Sequence, residues 1–257
     1  MSNILKYFKE GESMLTNFIL LFLFSGLPYY LYLEKDKKLS YEKIFFLSAF
    51  LIVCGMTLLT LKSQEVSIVV VIVVFIASLV SLYKANKTTN LYKLSYYILF
   101  FNAPMLLMFE LKASILYGIS LLFTLVGLYL MGKYYERQYG SANYQSVTGI
   151  TLVTPYAGFF LTIYLTSLAL YPPFPNALLF FNAILSSETS PLWYLIVLVI
   201  FFGNFLIAMR VMAKTVFGKP NDNVHYVDLS KKEKAIHYAM FVILLILSVL
   251  GFQEVLS

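Results

Sequence analysis

Cysteine occurs once in this sequence, at position 54. A lone cysteine excludes an intramolecular disulfide and a thiolate metal site. Histidine occurs twice, as His225 and His237, without the clustered carboxylates that would complete a metal centre. No glycine-rich phosphate loop and no serine nucleophile elbow is present, so the usual signs of nucleotide chemistry and acyl transfer are missing. No metal and no cofactor is expected to be bound by this chain. Charge is scarce too, with only 12% of residues Asp, Glu, Lys or Arg. The net charge of +6 comes from basic residues between apolar runs, where headgroup contact and orientation account for them. No nucleic-acid partner is expected.

Apolar side chains are plentiful instead. The composition is 60% hydrophobic and 18% aromatic, with a mean hydropathy of +0.79. Charge-free runs cover Met14–Leu33, Ile44–Leu61, Val66–Tyr83, Leu94–Phe109, Ala113–Gly132, Gln138–Ser187, Thr189–Met209 and Ala235–Gln253. A bilayer core takes about 20 apolar residues per helix, so most runs are one helix each. The run from Gln138 to Ser187 is fifty residues long and is expected to hold two, separated by Pro172 and Pro173. The expected architecture is an all-α polytopic transmembrane bundle of about nine membrane segments, one of them broken at Pro172–Pro173. The longest polar stretches, Glu34–Lys43, Lys133–Ser146 and Lys214–Lys234, are too short for a soluble domain. The helix over Met14–Leu33 lacks a small-residue cleavage site, so no signal or transit peptide is expected.

Nine crossings would place nine of the basic residues on one side and ten on the other. If the segment after Pro173 does not cross, the split becomes fifteen to four. The positive-inside rule favours the second count, the resemblance given below favours the first, and orientation stays open at this point.

Prolines inside a helix remove a backbone donor and restrict the preceding residue. In lipid such breaks persist where protein or water satisfies the freed carbonyls, and they recur in ion-translocating proteins. Residues 161–187 are therefore the first place to look for function. Pro155, Pro172 and Pro173 are the candidate helix breaks, and Asn176, Asn182 and Asn204 the polar groups with them. Asn102, Thr154, Thr162, Thr166 and Ser167 also lie inside apolar segments; the bland role for all of these is hydrogen bonding between helices. Ionisable groups are missing from the segment middles, although ion transport calls for them. Glu110 and Lys112 read as an interfacial pair between two helices. Arg210 and Lys214, one turn apart, read as basic residues completing a helix end and meeting headgroups. Glu188 is expected to face water. Lys231–Lys234 reads as the solvated start of the last helix, with Asp228 as its N-cap. Gly127, Gly132, Gly158 and Gly203 are expected at helix contacts.

Gly149–Pro155 (GITLVTP), an apolar helix, and then SLALYPPFPNALLF resemble the second half of the antiporter-like subunits of respiratory complex I. These are subunits 2, 4 and 5 of NADH:ubiquinone oxidoreductase, related to Mrp-type cation/proton antiporters and to membrane-bound hydrogenase subunits. Ser81–Tyr97 resembles a loop of that family in which Lys93 would be the loop lysine, a candidate for the proton route. Phe205–Gly218 and Asp228–Glu233 resemble late segments of the same family. The resemblance spans residues 66–257; residues 1–65 form an N-terminal membrane region of uncertain relation to it. Family members are about twice as long, which implies a split or truncated form containing the second half.

The resemblance implies a membrane-arm subunit of a proton-pumping complex that supports NADH-to-quinone electron transfer. Its partners would be other membrane-arm subunits, the complementary half of a split subunit, and lipids. The family's intramembrane Lys or Glu falls at or near Phe180, and its mid-helix lysine near Ile119, so the proton channel reads as degenerate and the role as mainly structural. Splitting, degeneration and a composition rich in Phe, Tyr, Ile, Leu and Asn point to the mitochondrial inner membrane, with a bacterial cytoplasmic membrane as the alternative. Two other readings stand beside this one: a component of an Mrp-type antiporter or membrane-bound hydrogenase, and an unrelated polytopic scaffold.

Overall fold

Twelve helices make up the regular structure of the computed structural model, which describes residues 2–27, 29–36, 39–62, 66–186 and 191–256. Among the described residues there is no strand, only an isolated bridge between Asn90 and Asn143. Glu188 lies outside them.

Among the described residues, five helices are long and apolar enough to cross a membrane: Tyr41–Leu61, Ile68–Lys87, Leu111–Tyr139, Pro191–Thr215 and Lys231–Leu256. They belong to α3 (Tyr41–Lys62), α4 (Ile68–Lys87), α7 (Leu111–Tyr139), α11 (Pro191–Thr215) and α12 (Lys231–Leu256). α4 opens with a run of valine and isoleucine that would disfavour a helix in water. In hydrocarbon the helix is the one local conformation that satisfies every backbone group, and the preference is overridden. A sixth candidate is bent: α1 (Ser2–Ser25) and α2 (Tyr29–Asp36) meet at 42°. Gly26 sits at that bend with φ 67°, and a Cβ there would stand 2.5 Å from the Phe100 ring.

The sequence led to about nine segments, and the remaining ones are short helices arranged in series. α5 (Leu91–Phe101) and α6 (Ala103–Met108) are separated by Asn102. Pro104 occupies the first turn of α6, where its missing N–H costs nothing. Both run antiparallel to α7. Tyr92 donates to Glu136 at 2.7 Å near one end, Tyr117 to Asn102 at 2.8 Å midway, and Ser114 to the Leu106 carbonyl at 2.6 Å toward the other.

The double-proline region departs most from expectation. α8 (Ile150–Val153) and α9 (Pro155–Leu168) are followed by α10 (Pro175–Ser186), and α9 and α10 do not lie side by side. Along α7, Tyr164 of α9 meets Gly127 and Ser167 pairs with Thr124. Asn176 of α10 then meets Ser120 and Thr124, and Phe180 meets Tyr117. The two helices thus lie end to end, one discontinuous rod antiparallel to α7. α12 runs parallel to that rod, with His237 beside Tyr164 and Gly251 beside Leu178.

α9 ends before the double proline. Tyr171 N–H donates to Thr166 O at 3.3 Å and Leu170 N–H to Ser167 O at 3.2 Å, the paired bonds of a Schellman cap. Leu170 occupies its left-handed position at φ 56°, where glycine is usual. The Pro172–Pro173 bond is cis, and Pro175 is the first residue of α10.

α3, α5, α9 and α12 begin at one end of the bundle, where α4, α7 and α11 finish; this is called the basic end below. One hydrophobic cluster, from Leu20 to Leu244, joins α1 through α12.

Candidate functional site

Polar side chains buried where α5, α7, α9, α10 and α11 converge form a belt across the bundle. At one side Asn102 and Asn204 make a two-way amide pair. Asn102 Nδ2 donates to Asn204 Oδ1 at 3.0 Å, and Asn204 Nδ2 returns a bond to Asn102 Oδ1 at 2.7 Å. Tyr117 OH donates to the same Asn102 oxygen, and Asn102 Nδ2 also reaches the Ile98 carbonyl at 2.9 Å. Ser120 and Thr124 follow Tyr117 on one face of α7 at helical spacing. Ser120 bonds Asn176 Oδ1, Asn176 Nδ2 donates to Thr124 Oγ1 at 3.2 Å, and Thr124 pairs with Ser167 at 3.0 Å. All seven of these residues are fully buried.

The belt ends at α12. Tyr164 OH and His237 Nδ1 are 2.8 Å apart, and the Phe160 ring stacks on the imidazole at 5.1 Å. His237 is 2% exposed. The one histidine apart, the belt is made of amides and hydroxyls. It can hold hydrogen bonds or water in a low dielectric, but it presents no Asp, Glu, Lys or Arg to a moving ion.

Phe180 packs beside the belt at Tyr117, one turn along α10 from Asn176. Its ring lies 5.7 Å from Tyr117 and 5.8 Å from Phe109, and it is fully buried. The position at which the resemblance calls for an ionisable group is therefore beside the polar network and filled by an aromatic ring. Ile119, the other such position, is half-buried on α7.

A comparison with protein-family models finds no match, and a comparison with curated proteins finds none either.

The candidate residues divide sharply. Asn176 and Asn204 are in the belt, with Asn102 and Ser167. Asn182 is half-buried on α10. Pro155 is the first residue of α9, after Thr154, and Pro172 and Pro173 are exposed in the break. Lys93 is far from the belt, in the first turn of α5 at the basic end, with its ammonium 4.2 Å from the Tyr41 ring centre. Lys112 pairs not with Glu110 but with Glu254 at 2.8 Å, because α12 ends beside the start of α7; Glu110 is the N-cap residue of α7.

Arg210 does not complete its own helix end. Its guanidinium bonds the carbonyls of Asn86 and Ala85, the latter at 2.7 Å, at the end of α4. The Tyr144 ring lies 6.0 Å away. Burial pushes the Tyr144 phenol pKa up, against the lowering effect of Arg210, and its hydroxyl donates to Thr88 O at 3.0 Å. Lys214 is exposed in the last turn of α11.

The expected N-cap of α12 also moves. Ser230 caps it, with Glu233 returning to the Ser230 N–H at 2.8 Å, the reciprocal arrangement of a capping box. Asp228 instead crosses to α9, where it accepts from Ala157 N–H at 3.3 Å.

Sequence reasoning missed Tyr117, Ser120, Thr124 and Tyr164, although the first three recur at three- and four-residue spacing on one face. It also missed Glu34, which gathers Lys84 at 2.8 Å, Tyr96 at 2.6 Å and Tyr97 at the basic end.

Proposed function

We propose that this chain is a structural subunit of a multi-subunit membrane assembly, of the antiporter-like type found in the membrane arm of complex I. One observation carries the reading. A discontinuous helix lies along a long continuous one, with a buried amide and hydroxyl belt at the break and Phe180 where an ionisable group would stand. That is the framework of an ion pathway without its charges, which favours a supporting role over autonomous pumping.

In this reading the chain crosses the membrane eight times. Five crossings are continuous, and α1–α2, α5–α6 and α9–α10 are each interrupted. Eight crossings place fifteen of the nineteen Lys and Arg at the basic end, so that end faces the matrix or cytoplasm. The membrane is the mitochondrial inner membrane, with a bacterial cytoplasmic membrane as the alternative.

The test is isolation from native membranes in mild detergent. The chain is expected to migrate within a large assembly carrying NADH:quinone reductase activity. Recovery as a monodisperse monomer, with that activity in other fractions, would overturn the proposal.

A further inference from the structure

The break between α9 and α10 lies at mid-depth and faces outward. Ser167 and Asn176, on either side of it, both reach Thr124, near the middle of the 29-residue α7. Yet Tyr171 is 60% exposed, and Pro172 and Pro173 beside it are exposed as well.

Irregular backbone at this depth is tolerated when protein or water covers it, and not against acyl chains. The Schellman cap deals with the carbonyls of Thr166 and Ser167, and Phe174 N–H bonds Tyr171 O at 3.1 Å. Pro172 and Pro173 bring no N–H of their own. Among the described residues no backbone N–H bonds either of their carbonyls. An acceptor left bare in hydrocarbon is strongly disfavoured. Tyr171 points the same way from separate chemistry. An exposed tyrosine prefers the headgroup level of a bilayer, whereas at mid-depth its ring and hydroxyl suit the buried centre of a protein interface.

We infer that the face centred on Tyr171, Pro172 and Pro173 is the docking surface for a transmembrane helix of a different polypeptide. That helix carries a hydroxyl or amide side chain at mid-depth, which donates to the proline carbonyls while its apolar face packs on Tyr171. The inference rests on the chain being a subunit of a membrane assembly, but not on which assembly.

A photo-crosslinking amino acid at position 171, compared with one at the exposed α4 position Ile76, tests it in native membranes. The expected result at 171 is one discrete adduct. Its cross-linked peptide maps to the middle of a transmembrane segment of another polypeptide, with Ser, Thr, Asn or Gln within one turn, in at least tenfold excess over any polypeptide adduct from position 76. In a Cys54→Ser background, Pro172→Cys is expected to resist a water-soluble maleimide until the assembly is dissociated. Lipid adducts alone at 171, an adduct to a second copy of this chain, a polypeptide adduct mapping elsewhere, or maleimide labelling in the intact assembly would each overturn the inference. The crosslink reads the partner and native migration reads the identity of the assembly, so the two proposals fail separately.

Discussion

Phe180 stands with its ring 5.7 Å from that of Tyr117, whose hydroxyl donates to Asn102. An aromatic side chain thus packs against the polar belt at its Tyr117 member. Phe180→Ala should cost about 3–5 kcal/mol, as for other large buried aromatics, and Ile119→Ala, half-buried, less than half of that. Thermal unfolding in detergent checks both. Equal losses would show that Phe180 is not a packing centre.

The amide pair should behave as a coupled unit. Asn204→Leu leaves Asn102 its bonds to Tyr117 and Ile98 O, so the loss is expected near 1 kcal/mol, within the range for hydrogen bonds between membrane helices. Asn102→Leu strips Asn204 and Tyr117 of their partner together and should cost more. A double-mutant cycle is expected to give a coupling of about 0.5–1.5 kcal/mol; strict additivity would refute the pair.

Close approach of α7 and α9 depends on Gly127, where a Cβ would fall 2.3 Å from the Tyr164 ring. Gly127→Ala should push that ring away from His237 and destabilise by about 1–3 kcal/mol. Adding Tyr164→Leu should recover part of the loss, measured by unfolding of the single and double variants. Failure to recover would place the strain elsewhere.

Arg210 ties the end of α4 to α11 through a planar fork, which lysine cannot reproduce. Arg210→Lys and Arg210→Ala are both expected to speed amide hydrogen exchange in the last turn of α4 and in residues 88–90. If only the alanine variant did so, a point charge would suffice and the fork would be irrelevant.

Much of the helical plan was legible in the charge-free runs, since hydrocarbon forces each run into a helix. Their stacking was not, because a twelve-residue apolar segment after a proline reads the same beside its predecessor or beyond it. The prolines marked the break but not its cause: α9 stops at a left-handed leucine, a conformation with no sequence signal when glycine is absent. Ser230 and Glu233 carried the spacing of a capping box, yet Asp228, an N-cap type of equal rank two residues earlier, drew the assignment. What it does instead depends on a backbone 71 residues away. The pairing of Lys112 with Glu254 spans 142 residues, beyond any local rule. Asn102, Ser167, Asn176 and Asn204 were found as polar residues in apolar surroundings, whereas Tyr117, Ser120, Thr124 and Tyr164 were passed over because single hydroxyls are common in such helices.

The end-to-end seating of α9 and α10 has an electrical consequence. Each helix carries a macrodipole equivalent to about half a charge at either end, and the two run in the same direction. The negative terminus of α9 therefore faces the positive terminus of α10 across the break, and the opposed partial charges largely cancel. The joint is neutral in itself, so the chain can keep a severed helix at the centre of the bilayer without recruiting a counterion.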